Sequence, residues 1–382
     1  MEVTTDELLI QPLRTNEAEI SDGGRTLRIH ASDGAHYEIP AVWLRDQCSC
    51  STCRHPSGQR LFEVADLPLD TRLESAHVDG DQVQLEFSTD GHRGQTFISE
   101  IVLRENARPR TVTTWDAESA DLAWHDFDAV IDDPSELFSF LADCDEFGFS
   151  LLRGVPADEG MVTRIVDLFG FVRVTNYGEL FNVRTVVDPT NLANTSLALG
   201  GHSDNPYRTP VPTPQLLHCL TSSVAGGVST LVDGFRVADE LRQFDRASFD
   251  VLTDTPLRFR YADESVDLET WAPVIECDVR GSMSTVRFNT RSALPSPTPA
   301  EQVSEWYLAY ATFARLIREP RFIVDVSLQP GDLILFDNRR VLHGRSGYDP
   351  RAGARHLQGC YADVDSLRSR IAVLERNVVQ RA

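Results

Sequence analysis

The sequence contains no lysine, so all 36 of its basic side chains are arginines. Chemistry that needs a lysine amine is therefore excluded, which removes pyridoxal-phosphate enzymes, Schiff-base aldolases and P-loop nucleotide hydrolases. Positive charge is also scarce, because 58 acidic residues give a formal net charge of −22. Such a surface repels polyanions, and we expect no nucleic-acid partner.

Long apolar stretches are missing as well. No hydrophobic run approaches the roughly 20 residues of a membrane helix, and the first residues, MEVTTDELLIQPL, lack the features of a signal peptide. Seven cysteines, an odd number, argue against a disulfide framework. We therefore expect a cytoplasmic protein with no membrane partner.

The 382 residues predict two domains, or one large domain with an appendage. Alternating apolar and polar residues in 26–45 and 77–103 indicate β-hairpins, so residues 1–105 should form a small β-rich module. Residues 106–125 have the composition of a linker. Residues 126–382 combine short strand-like runs with a few helices, which predicts a mainly β (α+β) fold based on a sandwich or jelly-roll barrel.

Three cysteines, Cys48, Cys50 and Cys53, lie close together in the motif CSCSTC. Three thiolates at this spacing suit one soft cation, and we expect a structural zinc ion rather than a catalytic one. The alternative, a loop of three reduced thiols, would be prone to oxidation. Zinc needs a fourth ligand, and His55 is the nearest histidine in sequence.

A second metal-binding pattern occurs in GGHSDNP, where His202 and Asp204 follow a strand-like run. On a strand, side chains at i and i+2 point to the same face, so the imidazole and the carboxylate would converge. They would form part of a two-histidine, one-carboxylate Fe(II) site, with His343 in DNRRVLHGRSGY as the second histidine. Arg355, on the next predicted strand, could pair with a carboxylate of a co-substrate such as 2-oxoglutarate. Spacing alone leaves open that these are ordinary histidines and solvated arginines.

The segments HSDNPYRTPVPTPQLLHCL, AGGVSTLVDGF, GDLILFDNRRVLHGRSGY and ARHLQGCYADVDSLRSR, together with WLRDQCSCSTCRHP, carry a resemblance to a known family. In this order, over nearly the whole chain, they resemble the γ-butyrobetaine dioxygenase branch of the Fe(II)/2-oxoglutarate oxygenases, which is close to the taurine dioxygenases. The resemblance implies a double-stranded β-helix (jelly-roll) catalytic domain that uses Fe(II), O2 and 2-oxoglutarate to hydroxylate a C–H bond. It further implies that iron is bound by His202, Asp204 and His343, and 2-oxoglutarate by Arg355, with Ser229 as the candidate for a second contact.

The resemblance also bears on the zinc site and on the substrate pocket. It implies His92 as the fourth zinc ligand, in preference to His55 and His77. The positions that correspond to the substrate pocket are Tyr177, Phe181, Asn194, Asn289 and Tyr361. Phe181 stands where the family has tryptophan and Asn194 where it has tyrosine, which weakens a cage built for cation–π attraction.

The predicted substrate is therefore a small zwitterion with a quaternary or substituted ammonium group, and γ-butyrobetaine is the named example. One alternative is the same chemistry on another amine acid, a phosphonate or a natural-product intermediate, for which Arg184, Arg287 and Arg291 lie nearby. Others are a catalytically silent binding module of the same fold and a zinc hydrolase that uses the same residues. The amphipathic tail, DSLRSRIAVLERNVVQ, would pack on a partner surface or on its own domain. From this pattern and the family resemblance we predict a homodimer.

Overall fold

The computed structural model describes residues 15–31, 36–79, 82–97, 111–184, 195–294 and 300–379. The contacts divide the chain into two units, Met1–Arg110 and Thr111–Ala382. Within the described ranges, none of the helices has both the length and the apolar character needed to span a lipid bilayer.

The first unit contains two three-stranded antiparallel sheets. Its elements are β1 (Thr15–Ser21), β2 (Thr26–Ala31), β3 (His36–Pro40), α1 (Ala41–Asp46), β4 (Leu73–Asp79), β5 (Gln82–Phe87) and β6 (Arg93–Phe97). Strands β1 to β3 form one sheet and β4 to β6 the other, each in sequential order. Alternate residues such as Leu27, Ile29, Val83 and Leu85 fill their common core. The hairpin predicted for residues 26–45 is the pair β2–β3. It ends at Pro40, and the helix α1 follows where the second strand was predicted to continue.

The second unit contains a six-stranded and a four-stranded sheet. Its strands are β7 (Trp124–Asp126), β8 (Phe149–Arg153), β9 (Phe181–Arg184), β10 (Leu199–His202), β11 (Gln215–Ser222), β12 (Ser229–Asp233), β13 (Leu257–Ala262), β14 (Asp267–Ala272), β15 (Ile275–Cys277), β16 (Met283–Val286), β17 (Ala293–Leu294), β18 (Val324–Val326), β19 (Leu333–Phe336), β20 (Val341–Arg345) and β21 (Arg355–Tyr361). The large sheet has the order β7-β8-β19-β11-β21-β9, and the smaller one the order β10-β20-β12-β18.

Helices cover the outer sides of both sheets. They are α2 (Phe127–Asp132), α3 (Pro134–Phe147), α4 (Met161–Val166), α5 (Gly234–Phe244), α6 (Arg246–Asp254), α7 (Ala300–Ile317) and α8 (Val364–Val379). Helix α3 is capped at its N-terminus, since the Asp133 side chain accepts a hydrogen bond from the Ser135 backbone N–H.

Neighbouring residues of a strand serve two different cores, because successive side chains point to opposite faces. In β8, Leu151 lies in the core that the two sheets share, whereas Leu152 packs with α2, α3, α4 and α8. In β12, Leu231 lies in the shared core, whereas Val232 packs with α5, α6 and α7. Two facing sheets with helices outside confirm the predicted jelly roll.

The segment predicted as a linker, 106–125, packs on the second unit from residue 111 onwards. Trp115 is buried, and its indole N–H donates to the Phe147 carbonyl over 2.6 Å. Its backbone N–H donates to Asp233, which forms a fully buried ion pair with Arg340. The composition of this segment is typical of a linker because most of its residues are polar. A single buried tryptophan is enough to anchor the segment, and composition does not show that contact.

Candidate active site

Strands β10 and β20 bring His202 and His343 directly opposite each other in an antiparallel pair. Their ring centroids are 4.5 Å apart. Asp204 completes the group, with Oδ1 3.4 Å from His202 Nε2 and Oδ2 3.4 Å from His343 Nε2. One ligand atom from each residue lies within 4.8 Å of the other two, so the three side chains can hold a single metal ion.

The way in which Asp204 reaches this position differs from the prediction. Strand β10 ends at His202, so Asp204 lies in the following loop rather than on the same strand face. Asn338, fully buried, holds the loop, because its Oδ1 accepts from Asp204 N at 2.8 Å and its Nδ2 donates to Asp204 O at 2.9 Å. The loop then turns at Asn205, whose φ is 50°. Asn338 was missed by sequence reasoning, although it stands in the same DNRRVLHG motif as His343.

Two further side chains orient the carboxylate of Asp204. Gln215 Nε2 donates to Oδ2 at 3.0 Å, and the Tyr361 hydroxyl donates to the same oxygen at 3.2 Å. Burial acts to raise the pKa of Asp204, but His343 and His202 outweigh it and hold that pKa well below its usual range. The carboxylate is therefore ionised at neutral pH, as a metal ligand must be.

His202 presents the nitrogen that a metal requires. Its Nδ1 lies 3.0 Å from the Gly200 carbonyl, which can only accept a hydrogen bond, so Nδ1 carries the proton and Nε2 is a free base. Burial, followed by the neighbouring His343, lowers the pKa of His202, and the charge of Arg291 acts in the same direction. The imidazole is therefore neutral near pH 7.

Arg355 begins β21 and is buried. Its Nη2 donates to Ser229 Oγ at 3.2 Å, whereas its Nη1 is buried without a hydrogen-bond partner among the described residues. Burial and the nearby Arg345 lower the pKa of Arg355. A buried guanidinium with an unsatisfied N–H is costly, so this site suits an anionic ligand.

The position of Ser229 relates this arginine to the metal-binding group. On β12, Leu231 pairs with His343 and Ser229 pairs with Arg345, two positions further along. Two strand positions correspond to about 6.6 Å. A cavity of about 180 Å³, lined by Arg355 and Gly227 among others, lies next to the start of β12.

The first unit holds the second metal-binding group. His92 Nε2 lies 3.4 Å from Cys48 Sγ, 3.7 Å from Cys50 Sγ and 3.5 Å from Cys53 Sγ. All four ligand atoms lie within 4.8 Å of one another. Burial raises the pKa of the Cys48 thiol to about 12, so a cation is needed to keep it as a thiolate.

The two rival histidines lie elsewhere. His55 Nδ1 pairs with Ser57 Oγ at 2.8 Å, and His77 is exposed on β4. The structure therefore places His92, and neither His55 nor His77, beside the three cysteines.

Aromatic side chains predicted for the substrate pocket collect beside Asp204. The Tyr361 ring, whose hydroxyl contacts Asp204, lies 5.1 Å from the Phe181 ring. The Tyr177 hydroxyl is 3.1 Å from that of Tyr207. Asn194 lies outside the described residues.

Tyr207 and Tyr261 were not predicted. Their rings are stacked at 5.3 Å, and the Tyr261 ring lies 6.1 Å from that of Tyr177. The Tyr207 hydroxyl donates to Asn205 Oδ1 at 2.8 Å. Tyr207 stands in the HSDNPY motif itself, a signal that was available, whereas Tyr261 comes from β13 and had none.

Asn289 is buried and lies against the metal-binding loop. Its Nδ2 donates to the Ser203 carbonyl at 3.0 Å, and its Oδ1 accepts from the Arg291 backbone N–H at 3.1 Å. Arg287 donates to Glu276 at 2.6 Å and to the carbonyls of Pro206 and Arg208. Arg287 is thus committed to holding the loop, which corrects the suggestion that it could serve a substrate anion.

Residues 107–361 match the family model described as "Taurine catabolism dioxygenase TauD, TfdA family". The chain belongs to this family. Residues 18–101 match a second model, "Gamma-butyrobetaine hydroxylase-like, N-terminal". Membership of the TauD and TfdA family confirms the predicted enzyme class, a 2-oxoglutarate-dependent dioxygenase that uses Fe(II).

Two relatives that carry a dioxygenase name agree with this assignment. The chain is 36% identical over 379 residues to a protein of Pseudomonas sp. (strain AK-1) named gamma-butyrobetaine dioxygenase, covering 96% of this chain and 97% of the relative. It is 31% identical over 382 residues to the gamma-butyrobetaine dioxygenase of Homo sapiens, covering 95% and 97%. Among solved structures, asparagine oxygenase is 20% identical with a TM-score of 0.48, covering 60% of this chain and 77% of that one.

Proposed function

We propose that this dioxygenase hydroxylates a C–H bond of a small zwitterion that bears a quaternary or substituted ammonium group, such as γ-butyrobetaine. The observation that carries the proposal is the placement of Phe181 and Tyr361 beside Asp204, with Tyr177 in the adjoining tyrosine cluster. A quaternary ammonium cannot accept or donate hydrogen bonds and is attracted to aromatic faces. Relatives named gamma-butyrobetaine dioxygenase support the same substrate class.

His202, Asp204 and His343 would hold the iron. Two imidazoles and one carboxylate are the ligand set that suits non-haem Fe(II) and leaves positions open. When bound, Fe(II) supplies the activation of O2, coupled to oxidative decarboxylation of 2-oxoglutarate, that breaks an unactivated C–H bond.

The chain's own residues set the geometry for this chemistry. The Gly200 carbonyl fixes the His202 tautomer, and Asn338 fixes the backbone of Asp204. Gln215 and Tyr361 restrain the carboxylate from one side. Such outer contacts orient metal ligands, and their loss typically costs about 10–100-fold in metal affinity or activity.

Arg355 and Ser229 would bind the distal carboxylate of 2-oxoglutarate. The unsatisfied Nη1 of Arg355 beside a hydroxyl matches the two oxygens of a carboxylate. With no lysine in the chain, arginine is the only side chain that can supply this fixed positive charge.

The pocket would hold the ammonium group against ring faces. The Tyr361 hydroxyl is engaged with Asp204, so the ring rather than the hydroxyl is available to a substrate. Asn289, which braces Ser203 between His202 and Asp204, would lie on the polar side of the pocket. Tyr207 and Tyr261 extend the aromatic surface next to Tyr177.

Cys48, Cys50, Cys53 and His92 would hold a structural zinc ion. Three thiolates and one imidazole fill a tetrahedral shell and leave no position for a substrate. A homodimer and a cytoplasmic location stay predictions from the sequence.

The test of the proposal is turnover of 2-oxoglutarate with candidate ammonium compounds. We expect succinate and a hydroxylated product from γ-butyrobetaine, dependent on iron and on O2. Succinate that forms with iron and O2 but is not stimulated by any ammonium compound would reject the substrate class and keep the enzyme class. Product formation that needs no O2 would instead indicate a hydrolase.

A further inference from the structure

Two tyrosines of the predicted substrate pocket have their hydroxyls tied to the metal-binding loop. The Tyr361 hydroxyl donates to Asp204 Oδ2 at 3.2 Å. The Tyr177 hydroxyl lies 3.1 Å from that of Tyr207, which in turn donates to Asn205 Oδ1 at 2.8 Å. Two consecutive residues of the loop therefore anchor two pocket rings, one directly and the other through Tyr207.

The direction of these hydrogen bonds follows from the number of protons. A phenol has a single proton, and the Tyr207 hydroxyl gives its proton to Asn205. Tyr177 is then the donor in the contact between the two hydroxyls. Since the proton of Tyr177 is committed to Tyr207, Tyr177 offers a substrate its ring face, as Tyr361 does.

Tyr207 and Asn205 are held firmly by their surroundings. Both are buried, with 6% and 3% of their surface exposed. The Tyr207 ring stacks on that of Tyr261 at 5.3 Å. Asn205 has a φ of 50°, a left-handed conformation that asparagine adopts more readily than most residues. Tyr177 is only partly buried, so its contact with this firm support can decide where its ring lies.

We propose that Tyr207 is a positioning residue that fixes the Tyr177 ring relative to the metal-binding group. Its hydroxyl acts through Tyr177 on the ammonium end of the substrate. The strength of a cation–π contact depends on where the cation lies over the ring, so a displaced Tyr177 ring would lose part of it. The inference rests on the proposed function, because it concerns how the pocket holds the cation of the same zwitterion.

The hydrogen bonds also relate the position of the substrate to that of the metal. Because Asp204 and Asn205 are adjacent, the rings of Tyr361 and Tyr177 are both fixed to the same short stretch of backbone. An ammonium group held against both rings would lie at a set distance from the carboxylate of Asp204. A small misplacement of a substrate can slow its reaction strongly. Loss of the Tyr207 hydroxyl should therefore affect both substrate binding and the share of 2-oxoglutarate turnover that yields hydroxylated product.

The test compares Tyr207→Phe with the control Tyr310→Phe. The first variant keeps the ring and removes only the hydroxyl that joins Tyr177 to Asn205. Tyr310 is a partly buried tyrosine of α7 that stacks on Trp306. Its hydroxyl has no hydrogen-bond partner in the described part of the chain, so its removal breaks no such contact. Melting curves check that both variants are folded.

The first arm measures KM for γ-butyrobetaine, KM for 2-oxoglutarate and the amount of hydroxylated product per succinate. We expect Tyr207→Phe to raise KM for γ-butyrobetaine roughly threefold to tenfold, because one hydrogen bond is lost. It should also lower the product per succinate and leave KM for 2-oxoglutarate unchanged, whereas Tyr310→Phe should match the wild type. Unchanged values in Tyr207→Phe would overturn the inference, and so would a parallel rise in both KM values, which indicates a general disturbance of the site.

A double-mutant cycle separates positioning from direct contact with the substrate. Tyr177→Phe removes the same hydrogen bond between the two hydroxyls as Tyr207→Phe does. The double variant should therefore have the same KM for γ-butyrobetaine as Tyr207→Phe alone, because the two changes act on one contact. Additive losses would mean that the two hydroxyls act independently, which contradicts the inference.

A measurement without substrate separates this inference from the proposed function. Crystal structures of Tyr207→Phe and of the wild type show whether the Tyr177 ring keeps its position. We expect the ring to be displaced, or to occupy more than one conformation, in the variant only. If the wild type turns over no ammonium compound, the proposed substrate fails, and the crystal structures still decide whether Tyr207 positions the ring. A ring in one unchanged position would overturn the inference even if γ-butyrobetaine is hydroxylated.

Discussion

The two metal-binding groups of this chain are built in opposite ways. In the first unit, three cysteines from one short loop and His92 from the β5–β6 turn surround one point, and Cys48 and Cys53 are almost completely buried. In the second unit, one short segment supplies His202 and Asp204, and a distant segment supplies His343. These are only three ligands, and His202 lines a large cavity.

The difference in ligand number indicates that the first site can only stabilise the fold, whereas the second can support a reaction. Four soft ligands in a closed shell leave a metal no open position, so its binding energy can serve only folding. Three ligands on one side leave room for a co-substrate and O2, and the surrounding arginines and tyrosines supply charge and ring faces for organic ligands. Removing one ligand from each group should therefore have different consequences.

The largest effect is expected in the second unit. His202→Ala, Asp204→Ala or His343→Ala should reduce iron-dependent succinate formation to background with little change in melting temperature, because each removes a metal ligand without emptying a large core volume. Succinate assays beside melting curves check this. The matched control is His356→Ala on β21, which should keep its activity; full activity in any of the three variants would rule out the iron site.

The next effect concerns the first unit. Cys48→Ser, Cys53→Ser or His92→Ala should release zinc and lower thermal stability, because structural zinc binding is itself folding free energy. Metal content by mass spectrometry and melting curves provide the measurement.

Two histidine variants sharpen this zinc prediction. His55→Ala and His77→Ala should both keep the metal, since neither side chain lies at the cysteine cluster. Zinc-free protein that melts at the same temperature as the zinc-bound protein would contradict a structural role for the metal.

A smaller effect is expected at the co-substrate site. Arg355→Gln should raise KM for 2-oxoglutarate roughly tenfold to a hundredfold, because a charge-assisted pair is lost. The control is Arg351→Gln, an exposed arginine that pairs with Asp349. An unchanged KM in Arg355→Gln would remove this residue from the co-substrate site.

The smallest effect concerns substrate choice. An added cation–π face contributes about 0.5–2 kcal/mol, a few-fold to thirty-fold in affinity. If γ-butyrobetaine is the natural substrate, Asn194→Tyr should lower its KM by this factor. If Phe181 and Asn194 have together adapted the pocket to another compound, the same change should weaken binding of that compound. Kinetics of both proteins on a panel of ammonium acids distinguish the two outcomes.

Several metal ligands could be predicted from the sequence because they lie within a few residues of one another. CSCSTC shows its three thiolates within one loop, and HSD shows an imidazole and a carboxylate one residue apart. The absence of lysine directs attention to arginine for every fixed positive charge. His343, Arg355 and His92 needed more, and came from motif order and family resemblance.

Residue types and short spacings by themselves indicated the three thiolates of CSCSTC, the pair His202 and Asp204, and a mainly β catalytic domain. The reaction class and the fourth zinc ligand came from the family resemblance. Only the tertiary structure decided the rest. The loop that carries Asp204, the brace from Asn338 and the stack of Tyr207 on Tyr261 depend on which strands pair and in what register. Long-range contacts of this kind join residues whose separation along the chain carries no periodic signal, so they become visible only when the two sheets close around the site.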